Sequence, residues 1–403
     1  MRSRILPVLL ACGLVASPLA AQLSLPQLPL PRPGTVLDPV TGKVIDDVAG
    51  LENEALRQAR RLENLRLERM ELLARRNPDI IELDMDGAPA RRGVILVMDA
   101  SADELERATN AGFLIGETDT IAELDIPFVR LEIPKGISLA KAAKQLAQLM
   151  PEAMISPDNL HFASGAALAI PTIAARSGVS RTSRPVGVVD GAPGSAFPVR
   201  ELRGFAQGAP FPSNHGSAIV SLLNHAGATQ IRVADVYGTD KAGGNALAIA
   251  KAIGWLVGQG SKVINISLVG PKNALVAKAI SQSQAKGVVI VAAVGNDGPA
   301  APPAYPASYP GVVAVTGVDR RNRALIEAGR ALHLDYAAPG ADISGRNAKG
   351  QRMKLRGTSF ASALVSARLA FTEPGAWRAQ LDAEAVDLGK KGPDAQYGRG
   401  LLC

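Results

Sequence analysis

Five apolar runs recur through the second half of the chain: VGVVD (186–190), IRVADV (231–236), VINISL (263–268), VVIVAAV (288–294) and GVVAVTGV (311–318). Their apolar character is nearly continuous, not alternating, so they read as strands buried on both faces. Between them lie small-residue apolar segments of helical length, such as GSAIVSLLNHAG, ALAIAKAIGWLVGQG and NALVAKAISQSQAKG. Strands that alternate with helices cannot pair as hairpins. The expectation is therefore a three-layer α/β domain with a largely parallel sheet. In such sheets ligands bind outside the carboxyl ends of the strands, so reactive residues are sought there first.

Three polar residues stand at those ends: Asp190 closes VGVVD, Ser267 falls in VINISL, and Asn296 follows VVIVAAVG. Downstream, RGTSFASALVSA places Gly357, Thr358 and Ser359 at the start of a further small-residue helix. Free N–H groups and the positive end of the helix dipole converge on such a spot, which suits a nucleophilic hydroxyl and the oxyanion it creates. Serine needs a base, and the base needs a carboxylate to orient it. His215, in NHGSAIVSLLNHAG, and Asp190 supply those residue types, and the Asn296 amide can donate to an oxyanion. Each also has a purely structural reading. GTS can be a helix cap, Asp190 and Asn296 can be turn residues, and a lone histidine can be a core group. Four such residues, each at a strand end or helix start and in this order, are far less easily explained that way.

From about Pro185 to Leu402 the sequence resembles the subtilases, the subtilisin-type serine peptidases. VGVVDG, NHGSA, VAAVGNDGP and GTSFAS resemble that family's aspartate, histidine, oxyanion-asparagine and serine motifs, and YGRGLL its closing strand. The order Asp190, His215, Ser359 is that of subtilisin. Two departures are visible. Ala192 follows Gly191 where the family usually has Ser or Thr and then Gly, and Ala363 and Leu364 stand where it usually has Pro-His. The resemblance implies an endopeptidase in which His215 takes the Ser359 proton, Asp190 orients the imidazole, and Asn296 stabilises the oxyanion. It also implies a substrate cleft walled by Ser267, Leu268, Val269 and Gly270 on one side and Ala293, Val294 and Gly295 on the other. Such small and aliphatic walls favour a mid-sized apolar side chain. GPAAPPAYPASYPG reads as a Pro-rich surface loop bordering that cleft.

The first half has a different rhythm. Met1 to Ala21 carries Arg2 and Arg4, then an apolar run, then small residues, the pattern of a secretory signal peptide. Cys12 in LLAC resembles a lipoprotein box, but the apolar run before it is short and a longer one continues past it, so cleavage near Ala21 is the reading. Residues 22–47 are a Pro-rich linker. Residues 48–78 hold a charged helix, Leu51 to Arg76, with an apolar stripe through Leu56, Ala59, Leu62, Met70 and Leu73. Packing of that stripe on a neighbour is favoured over a coiled-coil partner. Residues 90–163 read β-α-β-β-α-β, a small ferredoxin-like α+β domain. Placed before a subtilase-like domain (185–403), it resembles the family's propeptide, an intramolecular inhibitor cut off on maturation. The linking segment 164–184 is rich in small and turn residues, and a first self-cleavage is expected between His161 and Arg181.

Composition removes other classes. The formal charge of +7 on 403 residues is spread through the chain, and aromatic residues are only 4%, so no stacking platform for nucleic acid is present. No stretch after the leader reaches the roughly 20 apolar residues of a membrane span. The four histidines lack ligand spacing, and Cys403 would be the single cysteine of a mature chain, so neither a metal, another cofactor nor an internal disulfide is expected. The expected product is an exported, periplasmic or secreted serine endopeptidase acting on protein or peptide substrates and made as a zymogen. The alternatives are a catalytically silent peptide-binding subtilase homologue and an envelope interaction protein that works through its N-terminal arm and helix.

Overall fold

The computed structural model describes residues 48–169 and 183–402. The leader, the Pro-rich linker, Cys12, Cys403 and most of the linking segment fall outside them. The chain opens with α1 (Val48–Arg76) and β1 (Ile81–Leu83). The small domain follows as β2 (Pro89–Met98), α2 (Ala102–Asn110), β3 (Leu114–Ile121), β4 (Ile126–Glu132), α3 (Leu139–Leu149) and β5 (Met154–Asn159). Then come β6 (Phe162–Ala163), β7 (Ala166–Ala169), β8 (Val186–Asp190), β9 (Glu201–Gly204), α4 (Asn214–His225), β10 (Ile231–Asp235), α5 (Ala246–Gly258), β11 (Val263–Ile266) and β12 (Leu268–Val269). The remainder is α6 (Ala274–Ala285), β13 (Val289–Ala293), β14 (Val313–Val318), β15 (Tyr336–Pro339), β16 (Ala341–Arg346), β17 (Arg352–Arg356), α7 (Thr358–Leu369) and α8 (Trp377–Glu384).

Seven strands form the main sheet in the order β15-β14-β13-β11-β8-β10-β9, and every pairing in it is parallel. Successive side chains leave opposite faces of a strand, and the core divides accordingly. Val189, Ile264, Ile290 and Ala292 pack under α5 and α6, whereas Val186, Val188 and Val233 pack under α4 and α7. That is the three-layer α/β arrangement expected from the continuous apolar runs.

The small domain is an antiparallel sheet in the order β5-β2-β4-β3, with β1 added alongside the start of β2. Its faces alternate as well. Ile95 and Val97 join Phe113, Leu139 and Leu146 beneath α2 and α3, while Leu96, Met98 and Phe128 join the core of α5 and α6. This explains why ALAIAKAIGWLVG is apolar all round: α5 lies between two sheets. Gly254 permits the approach, since a Cβ there would stand 2.4 Å from Ile121 Cγ2.

Polar contacts fix the docking. Lys251 pairs with Glu117 at 2.9 Å and Asp119 at 3.2 Å, Lys278 with Asp99 at 2.6 Å, and Arg91 with Asp240. Asp158 accepts the Leu247 N–H at 3.0 Å in the first turn of α5, where a helix favours negative charge. Burial nonetheless pushes its carboxyl up to about 6. The Pro-rich stretch 299–311 is not a surface loop throughout. Ala307 and Tyr309 are buried, the Tyr309 hydroxyl bonds both the N–H and the carbonyl of Asn273, and Tyr305 bridges Gly270. Two tyrosine rings, Tyr305 and Tyr309, tilted against each other with centroids 4.6 Å apart, supply the apolar anchor that pulls it in.

Candidate active site

Asp190, the last residue of β8, and His215, the second of α4, are brought together by a close backbone approach. A Cβ at Gly216 would stand 1.9 Å from the Gly191 carbonyl oxygen, so only glycine lets the start of α4 lie against the turn after Asp190. Ser213 caps α4 by accepting the Gly216 N–H at 3.0 Å. The imidazole Nδ1 then meets both Asp190 oxygens, at 3.0 and 2.9 Å, and Oδ1 also accepts the Gly191 N–H at 2.7 Å. The other ring nitrogen, His215 Nε2, is buried with no hydrogen-bond partner among the described residues.

Ser359 lies in the first turn of α7, behind Gly357, whose φ of +145° suits glycine. Its hydroxyl does not rest on His215. It donates to the Ser267 carbonyl at 3.0 Å, while its backbone N–H, an orphan of the first helical turn, donates to the Ser164 carbonyl at 3.1 Å. Asn296 accepts the Thr358 N–H through Oδ1 at 3.1 Å. That turns its Nδ2 inward: Nδ2 and the Ser164 oxygen lie 2.7 and 2.9 Å from the point a Cβ of Gly357 would occupy.

The chain's own segment fills the cleft. Phe162 and Ala163 pair antiparallel with Val269 and Leu268, the Ser164 N–H donates to the Ser267 carbonyl at 3.2 Å, and the His161 N–H donates to the Gly244 carbonyl at 2.8 Å. The Tyr237 hydroxyl donates to the His161 carbonyl at 2.8 Å. Beyond Ser164, Gly165 reaches the site itself, where a Cβ would stand 2.8 Å from Phe360 and 3.5 Å from His215 Nε2. The strand β7 continues along β17. A main chain paired on both sides, with one carbonyl on a helix-terminal N–H, is the arrangement of an extended peptide added to a sheet edge.

Of the two wall segments, Val269 and Gly295 face each other, since Val269 Cγ1 lies 3.4 Å from where a Gly295 Cβ would be. Ser267 and Leu268 meet the segment through their backbones. The Leu268 and Val294 side chains lie in the core under α5 and α6, and Ala293 is fully buried at the end of β13. Gly270 abuts the His161 ring, 2.5 Å from a built Cβ to Cδ2. That ring is fully buried with neither nitrogen hydrogen-bonded among the described residues, and desolvation pushes its pKa down to about 4.

Sequence reasoning missed two supports. The Thr358 hydroxyl bonds both the N–H and the carbonyl of Gly295, tying the serine helix to the asparagine turn. Asp235, the register partner of Asp190, is fully buried and accepts the N–H groups of Phe211, Tyr237 and Gly238. Its position at a strand end was the available signal.

Residues 210–400 match the model of the subtilase family. Minor extracellular protease Epr of Bacillus subtilis (strain 168) is 28% identical over 207 residues, which are 47% of this chain and 32% of that protein. Subtilisin amylosacchariticus of Bacillus subtilis subsp. amylosacchariticus is 28% identical over 295 residues, 65% of this chain and 77% of that protein. Among solved structures, fervidolysin from Fervidobacterium pennivorans, a keratinolytic enzyme related to subtilisin, superposes with a TM-score of 0.64 at 18% identity, covering 80% of this chain and 62% of that one. At that identity the likeness is one of fold. Among the described residues no helix is long and apolar enough to cross a membrane.

Proposed function

We propose, from the match of residues 210–400 to the subtilase family, that the chain is an exported serine endopeptidase, made as a zymogen that cuts its own Ser164–Gly165 bond. The observation that carries this reading is the Ser164 carbonyl held on the Ser359 N–H with Asn296 Nδ2 beside it. Ser359 Oγ leaves the Ser267 carbonyl and attacks the Ser164 carbonyl carbon as His215 Nε2 takes its proton. The Asp190 carboxylate holds the ring in the tautomer with a free Nε2 and stabilises the imidazolium. Negative charge forms on the Ser164 oxygen, facing the Ser359 N–H and the Asn296 amide. Collapse breaks the bond to Gly165, whose nitrogen receives the proton from His215. Water then releases Ser164 as a carboxylate and restores the serine. Other peptides follow the same steps once the N-terminal part has left. Export rests on Arg2, Arg4 and the apolar run behind them.

The bond assignment is tested at Gly165. A valine there drives its Cβ into Phe360, displacing the peptide from Ser359, and a displacement of about 1 Å costs about a hundredfold. Gly165→Val is expected to slow self-cleavage by that factor, read by intact mass, while the enzyme opened by trace protease hydrolyses a chromogenic peptide normally. Cutting at the wild-type rate, or at another bond in both proteins, contradicts the assignment.

The grip of residues 48–164 on the cleft should also depend on pH, through two groups with opposite signs. His161 is held below its free value of 6.5, at about 4, so its contribution is full above 6.5 and is lost as pH falls toward 4. Asp158 is held above 3.8, at about 6, so its contribution is full below 3.8 and is lost as pH rises through 6. His161→Leu leaves only the second trend: the inhibited complex of the variant should persist longer as pH is lowered from 6.5 to 4.5. Faster release on acidification, in a time course of activity, would count against the buried neutral ring.

A further inference from the structure

We infer that α1 is a second inhibitory element, separate from the ferredoxin-like domain, which holds the outer side of the oxyanion turn so that cutting Ser164–Gly165 leaves a nicked but still silent complex. The inference rests on the serine-peptidase reading above. Three contacts along one face of α1 carry it. Leu62 covers Gly298, where a Cβ would stand 2.9 Å from Leu62 Cβ and Cδ1. Arg69 pairs with Asp297 at 2.7 Å, both side chains being about four-fifths shielded. Leu73 packs with Leu160, Phe162 and Ala242.

These contacts do two different things. Asp297 and Gly298 directly follow Asn296, so Leu62 and Arg69 fasten the turn that carries the oxyanion amide. Leu73 packs with Phe162, two residues before Ser164, and so caps the bound segment from outside the cleft. The Arg69 guanidinium also donates to the Leu65 carbonyl at 3.1 Å, which fixes it on its own helix before it meets Asp297. A charge-assisted bond made by a pre-oriented group loses little entropy on forming. Positions 62, 69 and 73 have the spacing of one helical face, and that face meets the catalytic domain and the bound segment. Hydrolysis of one peptide bond breaks none of these contacts, and α1 remains joined to the docked sheet through β1 and β2.

The test follows two signals in one reaction of the full chain: the fragment ending at Ser164, by intact mass, and hydrolysis of a short chromogenic peptide. In the wild type the cut should precede activity by a measurable lag. Arg69→Glu should shorten that lag, counted from the completed cut, about tenfold, the usual worth of a charge-assisted hydrogen bond. Leu62→Ala should act in the same direction, and Arg69→Lys should keep most of the lag. Activity rising together with the cut in the wild type, or an unchanged lag in both Arg69→Glu and Leu62→Ala, overturns the inference while leaving the peptidase reading intact. Absence of any cut or hydrolysis in every protein would instead overturn the peptidase reading and this inference with it.

Discussion

Ser359→Ala is expected to lower peptide hydrolysis by about six orders of magnitude and to leave the chain uncut at Ser164–Gly165. The size follows from the site's construction. Ser359 is fully buried at the start of α7, with its backbone N–H on the Ser164 carbonyl and its hydroxyl on the Ser267 carbonyl beside it. Alanine keeps the backbone N–H that holds the Ser164 oxygen, so the segment stays seated, and among the described residues the fold loses one hydrogen bond, to the Ser267 carbonyl. The loss should therefore fall on turnover, with thermal unfolding almost unchanged. Steady-state hydrolysis of a chromogenic peptide after trace-protease opening, beside a melting curve, checks both halves. Substantial residual turnover would place the nucleophile elsewhere.

Asp190→Asn is expected to cost about ten-thousandfold in turnover with little change in substrate affinity. The carboxylate accepts from His215 Nδ1 with both oxygens and from the Gly191 N–H. An asparagine of the same shape keeps the packing but presents an NH2 group toward Nδ1. The ring then accepts there and carries its proton on Nε2, the atom that must receive the serine proton. Geometry survives while the tautomer is wrong. A loss in kcat with KM within about threefold is the expected signature. A rise in KM alone would mean that Asp190 merely shapes the cleft.

The parallel sheet was legible because its strands are apolar on both faces, a pattern that only burial between two helical layers accommodates. The candidate site residues were legible for a related reason: Asp190, Asn296 and Ser359 each interrupt an apolar run where the chain leaves a strand or enters a helix, with no packing reason to be polar there. Other features depend on partners distant in sequence. ASGAALA offers several equivalent small-residue bonds, and the proposed cut at one of them rests on the pairing of residues 162–164 with 267–269, which no local pattern announces. The stripe through Leu62, Met70 and Leu73 foretold that one face of α1 is buried, but Leu62 lies opposite Gly298 and Arg69 opposite Asp297, more than 200 positions away in the chain. Leu268 and Val294 show the limit of assigning cleft walls by motif, since alternation along an extended chain sends their side chains into the core.

On the proposed mechanism one serine both cuts the Ser164–Gly165 bond and serves as the nucleophile of the mature enzyme. The most direct measurement is treatment of the purified chain with a fluorophosphonate, followed by intact-mass analysis and mapping of the labelled peptide and of the new N-terminus, with Ser359→Ala in parallel. The expected result is a wild-type fragment that begins at Gly165 and carries the label on Ser359, together with an uncut, unlabelled variant. A label on another residue, or the same fragment from Ser359→Ala, would contradict it.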